Sequence, residues 1–187
     1  MPTVFSHVAV PLALGAGLGR RVVPRRLLVA AVAAAMIPDL DVIGWYFGVG
    51  WGSILSHRGF THSIGFSLLL AALACVAAPW LHSGRALAAA FVGISALSHP
   101  LLDMATTGGY GVALWWPLSE QRVAAPPGWR VIEISPISIE RFLSARGLRV
   151  LQSELAWVWL PAAALAASIG FGRWLWARPP RVRSASG

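Results

Sequence analysis

Apolar positions along the chain gather into five runs, at 4–19, 27–47, 64–81, 86–102 and 155–176, with a long mixed stretch before the last. A hydrocarbon core about 30 Å thick is crossed by about 20 apolar residues in α-helix. The pattern therefore predicts an all-α, multi-pass transmembrane helical bundle of about five spans. The first run is short and has no basic segment before it, so it reads as a helix of the mature protein rather than a cleaved signal. The second run is interrupted at Pro38-Asp39-Leu40-Asp41. Residues 104–153 are too polar to span, but they contain the apolar YGVALWWPL at 110–118 and an amphipathic run at 137–151. That combination predicts a cap lying on the membrane interface between the last two spans. Residues 1–177 then form a single membrane-embedded domain, and 178–187 a basic flexible tail.

Composition agrees with lipid as the main solvent. The chain of 187 residues is 57% hydrophobic and 12% charged, with mean hydropathy +0.67, whereas soluble domains carry roughly 25% charged residues. The lone Cys75 sits in an apolar run and excludes a thiolate metal cluster. Every basic residue is arginine, and the formal charge is +8. The arginines cluster at run ends, in 20–26 and in the tail, where they act as topology determinants, so no nucleic-acid partner is expected. Trp45, Trp51, Trp80, Trp157, Trp159, Trp174 and Trp176 sit near span ends, as in an interfacial aromatic belt. Placing the 20–26 loop in the cytoplasm puts the N-terminus outside and the tail inside. His7, Asp39, Asp41, His57, His62, His99 and Asp103 then fall at one depth on the outer side, and only His82 among the five histidines does not.

Three segments could carry chemistry. His99 and Asp103 are four apart at the end of the fourth run, on one helical face, so they can reach one ion or each other. Pro100 between them is expected to kink the helix. Asp39 and Asp41 lie in an otherwise apolar run, where a buried carboxylate costs several kcal/mol unless a cation, base or water meets it. On an unbroken helix they point roughly 200° apart, so both reach one site only if Pro38 ends regular helix. The simpler alternative is a polar interfacial turn. In Ser56-His57-Arg58-Gly59-Phe60-Thr61-His62-Ser63, a turn at Gly59 would let both histidines face one centre. Thr61 or Ser63 would cap the next helix, and Arg58 could clamp a phosphate through its planar fork.

His7 is weak alone and gains from the shared depth. Glu154, where the last run begins, reads either as an acid/base or supporting carboxylate or as an ordinary helix N-terminal glutamate. Imidazoles and carboxylates without thiolates suit one or two divalent ions in an open site, with Zn²⁺ the first choice and Mn²⁺ or Fe²⁺ as alternatives. Such a site activates water for hydrolysis.

Together, Ser6-His7, PDLD at 38–41, SHRGFTHS at 56–63 and SHPLLDMATTGGYGVALWWPLS at 98–119 resemble the YdjM-like family of bacterial inner-membrane proteins, described as membrane-bound metal-dependent hydrolases. The resemblance implies a multi-pass inner-membrane location and places the family's motif positions on His7, Asp39, Asp41, His57, His62, His99 and Asp103. A more distant likeness, through the His99 and Asp103 pair, is to the zinc-dependent phospholipase C and P1 nuclease group. The expected function is hydrolysis of a phosphoester of a lipid or lipid-linked substrate. The expected metal ligands are His7, Asp39, His57, His62, His99 and Asp103, with Asp41 bridging or supporting, and Arg58, Asp41 and Glu154 are expected to serve catalysis. The alternatives are an ion-binding transporter and a noncatalytic scaffold stapled by metal. Oligomeric state is not written in the sequence.

Overall fold

The computed structural model describes residues 1–50, 52–136 and 138–177. Trp51 of the expected aromatic belt and the tail at 178–187 lie outside these described residues. A 3₁₀ turn at Val4–Val8 runs directly into α1 (Ala9–Leu18). α2 (Arg25–Met36) continues as a 3₁₀ helix over Ile37–Phe47. α3 (Ile64–Val76) and α4 (Arg85–Met104) follow. After a long irregular segment come the single-turn α5 (Ile139–Phe142), α6 (Ala145–Glu154), a π-helical turn at Leu155–Trp159 and α7 (Leu160–Trp176). Among the described residues there are no strands, only isolated bridges pairing Thr106 with Ile132 and Val112 with Val123.

Three continuous helical stretches are long and apolar enough to cross a membrane: Arg25–Phe47, Arg85–Met104 and Ala145–Trp176. Val4–Leu18 and Ile64–Val76 are apolar but shorter. The chain is thus a helical membrane protein, with two departures from the expected runs. The third helix stops at Val76 instead of 81, because the chain winds into turns in which Leu81 N–H donates to the Ala77 carbonyl and Ser83 N–H to that of Ala78. The last helix begins at Ala145 instead of 155, so part of the expected cap is the foot of the final span. α6 can join it because Gly147, Val150 and Glu154, at helical spacing, form a buried face while Arg146 and Arg149 point outward.

Small side chains set the packing. α2, α3 and α4 meet through Leu27, Ala31, Ala34, Ala74, Ala88, Phe91, Val92 and Ala96, and α1 packs on the last helix through Ala9, Ala13, Val158 and Ala162. Alanine and glycine let helix backbones approach closely, which favours association in lipid, where burial of apolar surface gives little drive. The opposite faces stay apolar and exposed, as at Val29, Leu68, Leu73, Val76 and Leu160, which suits contact with acyl chains. At one end Arg26 donates to the Trp80 carbonyl and contacts His82, and Arg173 donates to the Gly17 carbonyl. At the other end the irregular segment is tied down by Ala113 N–H to the Arg58 carbonyl and Ile64 N–H to the Leu114 carbonyl. That end carries the titratable groups.

Candidate metal centre

Each element delivers its side chain for a local reason. Pro38, which lacks an N–H, sits where α2 gives way to 3₁₀ helix. In 3₁₀ geometry the partner of the Ala35 carbonyl is residue 38, and a proline cannot supply it. That carbonyl lies 2.7 Å from His99 Nδ1 instead. With three residues per turn, Asp39 and Asp41 point about 120° apart and meet different partners, apart from His62, which both approach. Asp39 faces His7, His62 and His99. Asp41 lies 2.9 Å from His57 Nδ1 and 3.1 Å from His62 Nδ1, and accepts hydrogen bonds from the Thr61 hydroxyl and the Arg58 N–H. Ser63, not Thr61, caps α3, accepting from Phe66 N–H. α4 runs through Pro100 as one helix and buries both His99 and Asp103.

The Nδ1 contacts settle which nitrogen each ring offers. An Nδ1–H on His57 or His62 donates to Asp41, and one on His99 donates to the Ala35 carbonyl, leaving Nε2 as the basic nitrogen of each. The Nε2 atoms of His62 and His99 face each other at 3.0 Å. His62 Nε2 is 3.3 Å from Asp103 Oδ2 and 3.8 Å from Asp39 Oδ1, and His99 Nε2 is 3.4 Å from Asp39 Oδ1. His7, stacked on His99 with ring centroids 3.6 Å apart, places Nε2 3.7 Å from Asp39 Oδ2 and 3.8 Å from Asp103 Oδ1. Two donors on one zinc at about 2.0–2.1 Å lie roughly 3.3 Å apart in tetrahedral geometry. The spacings match edges of a coordination polyhedron better than they match hydrogen bonds.

Satisfaction of the polar atoms points the same way. Both ring nitrogens of His7 and all four carboxylate oxygens of Asp39 and Asp103 are buried without a hydrogen-bond partner. Buried polar atoms are ordinarily satisfied, and a cation among them removes the deficit. Two overlapping groups of donors could hold one: Asp39, His57, His62 and Asp103, and His7, His99 and Asp103. Burial opposes protonation of His62, but the nearby Asp103, Asp39 and Asp41 carboxylates raise its imidazole to about 10. A proton there takes the place of a cation, and a bound metal displaces it, since a histidine ligand is neutral.

All seven titratable residues expected to gather at one depth do so, and His82 lies apart with Arg26. Two of the residues expected to serve catalysis, Arg58 and Glu154, make specific internal contacts. Arg58 is only 5% exposed, with Nε 3.3 Å from Asp103 Oδ2, Nη1 donating to the Gly108 carbonyl and Nη2 to the Thr106 hydroxyl. Its fork is turned inward to neutralise Asp103 and is not presented as a free phosphate clamp. Its backbone, at φ 66, is held in the left-handed region, and Gly109 leaves room for the guanidinium, since a Cβ there would come within 2.2 Å of Nη1. Glu154 accepts from the Thr3 N–H, Thr3 hydroxyl and Ser6 hydroxyl. These contacts tie the turn carrying His7 to the last helix. Sequence reasoning missed Thr3, Thr106 and Arg122, which donates to the His57, Arg58 and Ser53 carbonyls. The only available signal was Thr106, three residues beyond Asp103 and just past the end of α4.

Two consequences are testable here. A Cβ on Gly59 would lie 2.0 Å from the Ile54 carbonyl oxygen. Gly59→Ala is therefore expected to cost about 1–3 kcal/mol through overpacking, seen as a lower thermal midpoint. Asp41→Asn loses the charge that orients His57 and His62, and metal affinity in a competition titration should fall about 10–100-fold. An unchanged affinity would show that the two rings are held by packing alone.

The family model for the YdjM inner membrane protein matches residues 1–178. Inner membrane protein YbcI of Escherichia coli (strain K12) is 46% identical over 166 residues, spanning 88% of this chain and 95% of that protein. No solved structure matches, and the more distant likeness to the phospholipase C and P1 nuclease group finds no support in these comparisons. The chain belongs to the YdjM family of inner membrane proteins.

Proposed function

We propose that the chain is a membrane-bound metal-dependent hydrolase acting on a phosphoester of a lipid or lipid-linked substrate, with residues 1–177 working as one domain. The observation carrying this reading is the set of buried, hydrogen-bond-deficient atoms of His7, Asp39 and Asp103 facing the Nε2 atoms of His62 and His99. His7, Asp39, His57, His62, His99 and Asp103 would hold one or two divalent ions, zinc first. Asp39 and Asp103 each offer one oxygen toward His7 and the other toward His62, so both would be available to hold metal. A divalent ion in such a site lowers the pKa of water and polarises a phosphoryl oxygen. Asp41 fixes the His57 and His62 rings, and Arg58 offsets the charge of Asp103.

A noncatalytic staple would be closed on all sides. Here His57 and Arg58 border a cavity of about 770 Å³, which favours chemistry with a substrate. A transporter would hold its ionisable groups near the bilayer midplane, while these gather at one end of the bundle, opposite Arg26 and Arg173. With arginine-rich loops retained in the cytoplasm, that end is the outer one. Reporter fusions at Gly50 and at Ala177 test the orientation, and a cytoplasmic Gly50 would reverse it. Metal analysis of the purified protein, followed by hydrolysis of chromogenic phosphomonoesters and phosphodiesters with and without chelator, tests the activity. Bound metal with chelator-sensitive turnover is expected; stoichiometric metal with no turnover on any phosphoester would leave only a structural ion.

A further inference from the structure

The cavity beside the centre is lined mostly by apolar side chains, with Thr3, Ser135 and a group of basic residues among them. Val42 and Trp45 of the 3₁₀ helix form one wall, Val4 and Phe5 of the N-terminal turn a second, and Ile139 and Phe142 of α5 a third. The basic group is His57, Arg58 and Arg122. His57 belongs to one of the donor groups, so this group adjoins the centre. The volume, about 770 Å³, is that of a ligand pocket, which typically holds roughly 300–1,000 Å³. A largely apolar recess lined by the Arg122 guanidinium beside His57 matches an anionic amphiphile better than a free anion or a neutral hydrocarbon. Arg58 is paired with Asp103, whereas Arg122 directs its donors to the neutral carbonyls of Ser53, His57 and Arg58, so its positive field is fixed in place instead of swinging with a flexible side chain.

From this we infer that the cavity is the substrate's chain-binding site. It takes an anionic amphiphile with its phosphate at His57 and Arg122 and its hydrocarbon chain between Val42, Trp45, Ile139 and Phe142. The inference rests on the hydrolase reading for the term substrate, but the binding site itself does not depend on turnover. α5 is a single turn and Ile139 is 76% exposed, so the third wall is a thin surface element through which a chain can enter from the side. Selectivity would then lie in the chain as well as the ester, and soluble phosphoesters would be poor ligands.

Photolabelling tests this without requiring activity. The probe is hexadecyl phosphate bearing a mid-chain diazirine, presented to the full-length protein in mixed micelles, with adducts mapped by mass spectrometry. Labels are expected at Val42 to Tyr46 and at Ile139 to Phe142, suppressed by unlabelled hexadecyl phosphate but not by hexadecanol. Val42→Trp, and independently Ile139→Trp on the exposed wall, should each lower that labelling at least about tenfold, a change of about 1.4 kcal/mol in binding, while metal content stays at the wild-type level. Labels confined to bilayer-facing positions such as Leu73 and Val76, or equal suppression by the alcohol, would overturn the inference. Labels in the cavity of a protein that binds metal yet hydrolyses nothing would uphold the site and defeat the hydrolase reading.

Discussion

Replacing Asp103 by alanine should abolish metal binding and phosphoester hydrolysis while leaving the chain inserted in the membrane. Asp103 is 1% exposed, and its two oxygens lie 3.8 Å from His7, 3.3 Å from His62 and 3.3 Å from Arg58 Nε. It is the residue common to both donor groups, so its loss strips a ligand from each. Losing metal activation removes several kcal/mol of transition-state stabilisation, and about 4 kcal/mol corresponds to roughly 10³-fold in rate. Alanine also leaves Arg58 buried without its counter-charge, a situation that costs about 3–5 kcal/mol when a buried pair is broken. Asp103→Asn keeps the volume and serves as the companion variant. Wild-type metal stoichiometry in both variants would remove Asp103 from the ligand set.

Chelation should destabilise the folded protein by a comparably large amount. Without a cation, the carboxylates of Asp39, Asp41 and Asp103 are only partly offset by Arg58 and by a proton on His62, and six donor atoms stay unsatisfied. An ion present at about 1,000 times its dissociation constant stabilises the native state by about 4 kcal/mol, which in a chain of this size moves the thermal midpoint on the order of 10 °C. Scans in detergent with and without chelator read this directly, and restoring zinc should restore the midpoint. Because the histidine ligands must be neutral, binding releases protons and affinity should weaken as pH falls.

The legibility of the chain varied with the kind of signal. Apolar run length identified a helical membrane protein because hydrophobic thickness fixes helix length. It misjudged two ends, at Val76 and Ala145, since an amphipathic stretch such as 145–154 joins a span or lies beside it according to packing that hydropathy does not encode. The gathering of His7, Asp39, Asp41, His57, His62, His99 and Asp103 was readable because alternating spans sort residues by depth, and ionisable groups in apolar runs stand out. Their division of labour was not. Asp41 orients imidazoles while Asp39 faces the centre because the two carboxylates still point about 120° apart on a 3₁₀ helix, and only the position of Pro38 hinted at the change of helix. Arg58 looked like a clamp between two histidines. Its inward turn depends on Gly109 and Thr106, far along the chain, and Glu154 meets Thr3 and Ser6 only because the last helix packs on the first.

X-ray absorption at the zinc edge of the purified, zinc-loaded membrane protein gives the most direct measurement of a shared ion among these residues. The expected spectrum has nitrogen and oxygen neighbours at about 2.0–2.1 Å, outer-shell features from imidazole rings and no sulfur. A marked weakening of the imidazole features in a His62→Ala, His99→Ala double variant, with His7 and His57 remaining, is also expected. A spectrum of oxygen alone, as from loosely held hydrated zinc, or one unchanged in the double variant, would contradict a metal centre built from these residues.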